Sequence, residues 1–491
     1  MSRLRSQRCY PESNGLASSR RAVAPNARRR AEGAVVRRMK KQAGWRRLAV
    51  AVALGTSFVA VARPGLAQAP AGTPQPLVFD QSTSVYNRVL KPAEQPDGVD
   101  WKTRVTALLR EQPGDIIVTA VGDMIFNQQI STLPEPHHQQ LLRLMQEADL
   151  AYGNLEFSIN GRPELQRVFY NFRTPTEFVW ELAAIGINLV SMANNHALDF
   201  GPEGLQDCLK ALDRAAIGHA GAGLTLADAR APDTERVQSQ TTRFALLSTM
   251  RYWTSKYRCS DPSGPCLATI DPAEILVATE DGGTEKVEGL LAADVAAMED
   301  DVALAKRHHD VVMVSLHNHD RSHHRAYGIQ DTTPPNDEIM YRRAIDAGAD
   351  MVIGSGPHVL RGIEIYKGKP IFYSLSNFIY QYRTPEAIPI DLIHQRDGEI
   401  ARPANVSVWD RRDPKEIFQG VMVRMTINAA TLTRVELIPF TIDDEGPLYG
   451  VPRLPSAARG REIIELVQRL SEPYGTRIVD KGWYAEVALE P

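Results

Sequence analysis

Between residues 115 and 380, the hydrophobic positions of the chain predict strands that alternate with helices. Short runs of β-branched and apolar residues are typical of buried strands, and longer amphipathic stretches separate them. This alternation predicts an α/β domain. The predicted strands are Ile116–Val121, Leu150–Gly153, Leu189–Ala193, Arg243–Thr249, Val311–Leu316 and Met351–Ile353, and the predicted helices are Pro136–Ala148, 175–185, Pro202–Ala215, Leu291–Lys306 and Asn336–Gly348.

The rest of the chain follows a less regular pattern. Residues 250–290 are polar and rich in turn residues, which indicates an insertion. We expect a leader at residues 1–69, a linker at 70–114, the main domain at 115–382 and a structural extension at 383–491. The other predicted elements are a hairpin (Leu360–Tyr366 and Pro370–Tyr373), an antiparallel strand pair (Gly420–Ile427 and Leu432–Ile442), a helix (Ala457–Leu470) and a last strand (Trp483–Leu489).

The first 69 residues predict a leader that is not part of the fold. Residues 1–38 are rich in Arg and have no apolar periodicity. From Met39, a basic stretch, the apolar run Leu48–Ala62 and Ala67-Gln68-Ala69 follow in the order of a secretory signal peptide. We therefore expect a start at Met39, cleavage after Ala69 and export to the periplasm or cell surface. An uncleaved anchor is the weaker alternative, because a membrane span needs about 20 apolar residues.

Removal of the leader would change the charge of the protein. The whole chain has 56 Lys and Arg against 59 Asp and Glu. Residues 1–69 hold 15 of the basic and 2 of the acidic residues, so the remainder has a formal charge of −16. This acidity argues against nucleic acid as a partner. A polyanionic substrate would need a metal or a local basic patch.

The cysteines agree with export. Cys259 and Cys266 bracket a turn-rich loop that could bring them together, which predicts a disulfide in an oxidising compartment. Cys208 lies within a predicted helix, and no C-x2-C spacing occurs. The sequence therefore argues against a metal site built on cysteine.

A polar stretch directly follows the central predicted strand. Asn194, Asn195 and His196 come after Leu189–Ala193, and Asp199 lies three residues further on, close enough to orient the imidazole if the turn is helical. Ligands bind at the carboxyl ends of strands in open α/β sheets, and an Asn oxygen beside an imidazole suits a divalent metal. The alternative is an ordinary turn in which the Asn side chains satisfy backbone groups.

Four other predicted strands also end in candidate metal ligands. Each residue alone has a simpler explanation as a turn acid, a solvated charge or a buried imidazole, but five at successive strand ends indicate a site for Mn, Fe or Zn. We expect one or two divalent ions. The five candidate ligands are Asp123, Glu156, Asn195, His317 and His358.

Around these residues the sequence resembles the poly-γ-glutamate capsule-synthesis (CapA-type) family, which is similar to calcineurin-like metallophosphoesterases. The resemblance implies a four-layer α/β/β/α sandwich with a small C-terminal α+β extension. It also implies metal ligands at Asp123, Asn195, His317 and His358, with Glu156 bridging and His196 as general acid. The stretches that carry it are Gly122-Asp123, Asn154-Leu155-Glu156, Ala193–Gly201, His317, Gly354-Ser-Gly-Pro-His-Val359 and Tyr373-Ser-Leu-Ser-Asn-Phe378.

The sequence also departs from the family pattern. Ile125 stands where the phosphoesterase pattern has histidine, and Ser355 and Gly356 stand where the capsule family often has histidines. Ser376 replaces a frequent glycine. Because these imidazoles are missing, it stays open whether a second ion binds, although His319 could partly compensate.

These features favour an exported, metal-dependent hydrolase of phosphoester or γ-glutamyl amide bonds in capsular polymer metabolism. His196, oriented by Asp199, would protonate the leaving group. The alternatives are a non-catalytic accessory subunit of a capsule synthesis and export complex in the membrane, and a phosphoesterase unrelated to capsule.

We further expect particular side chains to contact an anionic polymer or a small phosphorylated substrate. Arg321 lies with His323, His324 and Arg325 in a predicted loop beside the strand ends, where their charge would attract an anion. The alternative is an ordinary solvated loop. The predicted substrate contacts are Asn194, His319, Arg321 and Asn377.

Overall fold

This computed structural model describes residues 100–109, 114–125, 127–162, 172–236, 242–252, 255–278, 283–319, 331–381 and 415–490. The predicted leader, most of the linker and the loop containing Arg321 lie outside the described residues. No helix in the described ranges is long and apolar enough to cross a lipid bilayer.

The larger of two main sheets is mixed. Four neighbouring strands in its N-terminal part are mutually parallel, whereas the strand at residues 419–428 pairs antiparallel with the first of them and the later strands continue in antiparallel pairs. The spatial order is β22 (Ile478–Asp480), β23 (Ala485–Val487), β20 (Thr431–Ile442), β19 (Gln419–Asn428), β1 (Asp115–Ile125), β2 (Leu150–Leu155), β5 (Leu189–Ser191) and β6 (Gly218–Ala220), with β18 (Asn377–Tyr380) beside β1 and β21 (Pro452–Arg453) beside β20.

The smaller main sheet is parallel across its central strands. Its order is β11 (Thr269–Ile270), β9 (Arg243–Tyr252), β14 (Val311–His319), β15 (Met351–Ser355), β17 (Lys369–Phe372) and β16 (Ile363–Tyr366), with β8 (Asp233–Arg236) beside β9. Three short pairs complete the described strands: β3 (Ser158–Ile159) with β4 (Arg173–Thr174), β7 (Ala222–Gly223) with β10 (Cys266–Leu267), and β12 (Pro272–Ala278) with β13 (Thr284–Leu290).

The helices flank these sheets. The described α-helices are α1 (Trp101–Leu108), α2 (Pro136–Gln146), α3 (Val179–Ala184), α4 (Gly201–Ala215), α5 (Leu226–Arg230), α6 (Ala292–His308), α7 (Pro335–Ala347) and α8 (Ala457–Ser471), and the described 3-10 turns are Thr176–Phe178, Ser255–Tyr257, Lys415–Phe418, Gly446–Leu448 and Glu472–Tyr474. The predicted helices therefore all occur, with boundaries shifted by a few residues.

Three hydrophobic clusters define four layers. Alternate residues of β1, such as Ile116 and Val118, share one cluster with Leu246 and Met313 of the smaller sheet, so the two sheets face each other. A second cluster joins α1 to α4 to the outer face of the larger sheet, and a third joins α6 and α7 to the outer face of the smaller sheet. The expected α/β/β/α arrangement is confirmed.

Several strands continue past their predicted ends, among them two that carry candidate ligands. β1 was expected to stop at Val121 but runs to Ile125 with an irregularity in register near Asp123, and β14 continues from Leu316 to His319. The hydrophobic pattern missed these ends because Gly122-Asp123 interrupts the apolar run of β1 and because His317, Asn318 and His319 of β14 are polar. Such residues remain in the ladder here because neighbouring parallel strands pair with them.

The disulfide between Cys259 and Cys266 is present, with the Cα atoms 5.3 Å apart. The rest of the predicted insertion is more regular than expected, because β12 and β13 form a hairpin of seven residue pairs. In Thr284–Leu290, charged and apolar residues partly alternate, which fits a strand with one exposed face. The many polar residues of this stretch obscured that pattern in the sequence.

The C-terminal part of the chain enlarges the main sheet. β19 pairs antiparallel with β1 from Asp115 to Ala120, and three apolar residues of α8 join the cluster between the two sheets. Arg424 of β19 and Glu436 of β20 form a buried ion pair, with Nη1 and Oε2 2.8 Å apart. Residues beyond 415 therefore belong to the same core as the strands that carry the candidate ligands.

A buried hydroxyl links the two sheets beneath the strand ends. The Tyr152 hydroxyl of β2 lies 2.8 Å from Ser191 Oγ of β5 and 2.7 Å from Ser315 Oγ of β14 in the opposite sheet. Burial raises the pKa of Tyr152 to about 12, so the hydroxyl stays protonated and can donate at any physiological pH. This contact fixes the spacing of the sheets close to the candidate site.

We predict that Tyr152→Phe lowers the free energy of unfolding by about 1–3 kcal/mol, because Ser315 and Ser191 lose a buried hydrogen-bond partner. Urea denaturation measures this change. Tyr366→Phe is the matched control, since that hydroxyl lies 3.4 Å from an exposed Asp346 carboxylate, and we expect it to change stability by less than about 0.5 kcal/mol. Equal effects of the two variants would contradict the proposed role of the link.

Candidate metal centre

The candidate ligands come together where the two sheets meet. Asp123 lies in β1 and Glu156 directly follows the neighbouring strand β2, and both side chains are fully buried. His317 of β14 reaches them from the other sheet, with Nε2 4.0 Å from Glu156 Oε1. One ligand atom from each of these three residues lies within 4.8 Å of the others.

Asn154 forms hydrogen bonds with several residues of this cluster. Its amide nitrogen donates to Asp123 Oδ1 at 2.8 Å and lies 3.2 Å from His317 Nδ1. Its oxygen accepts from Ser191 Oγ at 2.9 Å and from Asn194 Nδ2 at 3.2 Å. No role was predicted for Asn154, although it lies directly before Leu155 and Glu156 in one of the stretches that resemble the capsule-synthesis family.

His317 is held in the neutral form that binds metals. Burial lowers its pKa to about 3, despite the attraction of Asp123. Its Nε2 lies 2.8 Å from Asn195 Oδ1, and its Nδ1 lies 2.9 Å from Ser355 Oγ. Ser355, which stands where the capsule family often has histidine, therefore orients the imidazole of a neighbouring strand.

His358 follows β15 in a left-handed backbone conformation, with φ +58°. Residues other than glycine adopt this conformation rarely, and it is often found where a side chain must be aimed at a site. Nδ1–H donates to Asn377 Oδ1 at 2.8 Å and lies 3.2 Å from Asp123 Oδ2. Nε2 lies 3.6 Å from Glu156 Oε1. Asn377 thus fixes the ring so that its second nitrogen lies near the carboxylates.

The two buried carboxylates differ in electrostatics. Burial opposes ionisation of Asp123, but the imidazoles of His358 and His317 and the Asn154 amide outweigh it and hold its pKa below the usual range. Burial and the nearby Asp123 raise the pKa of Glu156 well above its usual range. Two carboxylates in so small a buried volume favour a cation between them.

The donor set fits a divalent metal. Glu156 Oε1 is buried and has no hydrogen-bond partner among the described residues, although three imidazoles lie close by. Buried polar atoms are nearly always satisfied, and an ion is one explanation of an exception. Carboxylate oxygens, imidazole nitrogens and an Asn oxygen are ligands of Mn, Fe and Zn.

A His–Asp pair lies next to the ligands. His196 Nδ1–H donates to Asp199 Oδ2 at 2.7 Å, and the same carboxylate oxygen accepts from the Phe172 backbone at 3.1 Å. The Phe172 ring packs on the imidazole, with centroids 4.7 Å apart. The ring of His196 is therefore fixed by one carboxylate and one aromatic face, while its backbone N–H donates to Asn194 Oδ1.

The predicted substrate contacts lie in different environments. Asn194 is buried, and its amide nitrogen donates to Leu155 O and to Asn154, which holds the turn after β5. Asn377 is also buried and bonds to His358 and to Ile417 O. His319 lies among the ligands, whereas Arg321 lies outside the described residues. Their contacts with substrate stay predictions.

Tyr257 also supports the site and was not predicted. Its hydroxyl donates to the backbone oxygen of Asn195 at 2.8 Å. It lies two residues before Cys259, which forms the disulfide with Cys266, and its ring packs edge-on against Tyr252. No residue pattern in the loop distinguishes this tyrosine from an ordinary surface residue, so only the three-dimensional contact identifies it.

The sequence pattern of a bacterial family described as "Bacterial capsule synthesis protein PGA_cap" matches residues 117–382. The chain belongs to this family. It is 30% identical over 426 residues to the uncharacterized protein y4sH of Sinorhizobium fredii, covering 74% of this chain and 90% of that protein. It is also 27% identical over 269 residues to the PGA biosynthesis protein CapA of Bacillus subtilis, covering 53% of this chain and 62% of that protein.

A solved structure also shows similarity. It is a putative 5'-nucleotidase from Staphylococcus aureus in complex with alpha-ketoglutarate, with 11% identity and a TM-score of 0.35, covering 67% of this chain and 55% of that chain. The match to the PGA_cap family includes every described candidate ligand, from Asp123 to His358. Strands β19 and β20 lie beyond it, although they pair with the strand that carries Asp123.

We predict that Glu156→Gln has opposite effects on the metal-free and metal-loaded protein. Without metal, replacement of one of two adjacent buried carboxyl groups by a neutral amide should leave the melting temperature unchanged or raise it. With Mn²⁺ at 100 times Kd, the free energy of unfolding of the wild-type protein should rise by about 2.7 kcal/mol. That of the variant should rise markedly less. Thermal unfolding with chelator or Mn²⁺ measures both effects.

Glu299→Gln is the control for this prediction, because Glu299 pairs with an exposed Arg343 on the protein surface. It should respond to Mn²⁺ as the wild type does. A full response of Glu156→Gln to the metal would show that Glu156 is not a ligand.

Proposed function

We propose that this member of the PGA_cap family is an exported, metal-dependent hydrolase in the synthesis or processing of poly-γ-glutamate or another capsular polymer. The observation that carries the proposal is the buried cluster of Asp123, Glu156 and His317 beside the His196–Asp199 pair. A purely structural cluster would not need two adjacent buried carboxylates, which destabilise the fold unless a cation compensates them.

The chemistry of the site suits hydrolysis. Asp123, Glu156, Asn195, His317 and His358 would hold the metal. When bound, a divalent ion supplies Lewis-acid polarisation of a phosphoryl or amide oxygen and promotes the ionisation of water. The residues of the chain supply orientation, because Asn154, Ser355 and Asn377 fix the ligands by hydrogen bonds in the way that supporting residues do in metal sites.

His196 would act as the general acid. Asp199 accepts the proton of Nδ1 in a hydrogen bond, which fixes the tautomer and leaves Nε2 to exchange a proton with the leaving group. Proton transfer of this kind contributes roughly 10² to 10⁴ in rate. The packing of Phe172 on the ring restricts its rotation, so the proton is delivered in one direction.

The proposed substrate is anionic, either a carboxylate-rich polymer or a small phosphorylated molecule. Arg321 and the neighbouring basic residues of its loop would attract it against the negative charge of the mature protein. Export would place the enzyme in the periplasm or at the cell surface, and membrane proteins of capsule synthesis or export are the proposed partners. The family name of the chain and the CapA protein of Bacillus subtilis support this assignment.

A non-catalytic accessory role is the second candidate. Two positions where imidazoles were expected have structural functions instead, since Ser355 bonds to His317 and the Gly356 N–H lies 3.1 Å from Asp123 Oδ2. Elemental analysis after mild purification separates the candidates. Stoichiometric transition metal supports the hydrolase, and its absence supports the accessory role.

We predict that His196→Ala lowers turnover by about 10² to 10⁴ while the metal content stays unchanged, because the acid is lost and the ligands remain. A screen with phosphodiester and γ-glutamyl substrates identifies the bond, and steady-state kinetics then compare the variants. Asp199→Asn should lower turnover in the same direction, because the imidazole loses the carboxylate that orients it.

His219→Ala is the matched control. His219 also pairs with a carboxylate, with Nε2 3.2 Å from Asp213 Oδ1, but that carboxylate is largely exposed and the pair lies at the opposite end of α4 from His196. The turnover of His219→Ala should equal that of the wild type. Unchanged turnover of His196→Ala would show that His196 is not the acid.

A further inference from the structure

A cleft of about 520 Å³ opens where the C-terminal part of the chain meets the first turn of α2. Its walls come from the 3-10 turn Lys415–Phe418, the end of β20, β21 and the first turn of α8. Apart from His137, the residues that line the cleft lie beyond residues 117–382, which match the family pattern. Membership of the family therefore assigns the cleft no role.

The cleft lies close to the candidate metal centre. Asn377, which orients His358, also donates through Nδ2 to Ile417 O at 3.0 Å. Phe418, in the wall of the cleft, packs edge-on against Tyr380, with ring centroids 5.8 Å apart. The Tyr380 ring in turn lies 6.0 Å from that of His358. An extended molecule that occupies the metal centre therefore has the cleft within reach.

Three basic side chains line the cleft. Lys415 is exposed and has no ion pair among the described residues. Arg453 Nη2 lies 2.8 Å from Asp443 Oδ1, and its buried Nε has no hydrogen-bond partner in the same part of the chain. Arg459 Nη1 lies 2.7 Å from the exposed Glu462. Such a surface pair contributes little to stability, so an incoming acidic group can replace Glu462 at low cost.

The cleft also contains two acidic residues, Asp443 and Asp444. Asp443 pairs with Arg453, and burial raises its pKa to about 6, so its charge is compensated. Asp444 is exposed and offsets one of the two remaining basic residues. The amino end of α8, capped by Ser456, adds the partial positive charge of a helix terminus. The cleft therefore keeps a local excess of positive charge.

A buried imidazole without a partner is a second feature of the cleft that indicates a ligand. His137 follows Pro136 at the amino end of α2 and is only 4% exposed. Its ring packs against Trp101, and its backbone oxygen accepts from the N–H of Leu454 at 3.4 Å. No described residue forms a hydrogen bond with the ring nitrogens. Buried polar atoms are nearly always satisfied, and a ligand in the cleft would supply the hydrogen bond.

We infer that this cleft binds an acidic group of an extended substrate while another part of the same molecule occupies the metal centre. Lys415 and Arg459 would pair with the acidic group, His137 would donate a hydrogen bond to it, and the amino end of α8 would attract it. This inference rests on the proposed function and deepens it, because it selects an anionic polymer over a small phosphorylated molecule. A small molecule could not occupy both sites.

The test is binding of poly-γ-glutamate to the full-length protein in the presence of a chelator, so that no metal contributes to the attraction. Isothermal titration calorimetry at about 0.1 M salt gives Kd. Wild-type protein should bind the polymer. Lys415→Glu/Arg459→Glu should raise Kd at least about tenfold, because charge-assisted hydrogen bonds are lost. Polyphosphate of matched length is the second probe, and the polymer whose binding depends on these residues identifies the acidic group.

Arg461→Glu/Lys210→Glu is the matched control. Both residues are exposed and lie outside the cleft, Arg461 on the same helix as Arg459, and the net charge changes by the same amount. Its Kd should stay within about twofold of the wild-type value, because distant exposed charges are screened.

Each result has a distinct meaning. Equal weakening by the two double variants, or no binding of either polymer by the wild type, would overturn the inference. The hydrolase proposal would stand in both cases, because metal content and turnover decide it separately. If Lys415→Glu/Arg459→Glu fails to fold by circular dichroism, Lys415→Glu alone decides. A raised Kd in that single variant supports the inference, and an unchanged Kd overturns it.

Discussion

The hydroxyl of Tyr152 is the contact on which the candidate centre depends. It joins Ser315 of one sheet to Ser191 of the other, and Ser191 in turn donates to Asn154. Asn154 then bonds to Asp123 and reaches His317, so one chain of hydrogen bonds runs from the space between the sheets to the ligands. Buried polar contacts therefore set the alignment of ligands from two separate sheets. Hydrogen bonds require fixed distances between their atoms, whereas apolar packing does not.

A second buried network supports the centre from the other face of β14. Arg251 and Arg361 both contact the buried Asp337 of α7, and Arg361 also reaches Asn318, which lies between His317 and His319. Breaking a buried ion pair leaves an uncompensated charge, which typically destabilises by about 3–5 kcal/mol. The end of β14 is thus held on both faces, and its histidines have little freedom to rearrange when a metal binds.

The sequence was sufficient to predict the alternation of strands and helices, the disulfide and most of the cluster, because hydrophobic periodicity and strand-end chemistry are local properties. The four layers were implied by the family resemblance. It did not identify Asn154 or Tyr257, whose roles depend on contacts with residues distant in sequence. It also placed the ends of β1 and β14 too early, since Gly122-Asp123 and His317–His319 interrupt the apolar pattern but are kept in the ladder by neighbouring strands. Nor could the pattern show that β19 pairs with β1 across about 300 residues of chain.

The register of β14 and β15 brings the polar ends of two strands to one place. His317 lies opposite Ser355, so the residues at the carboxyl ends of both strands approach the same carboxylate from neighbouring positions. His319 lies close to Glu156 and His358, whereas a Cβ at Gly356 would lie 2.5 Å from Asn318 O. Two buried carboxylates side by side repel each other when both are ionised, and a cation between them would relieve that repulsion.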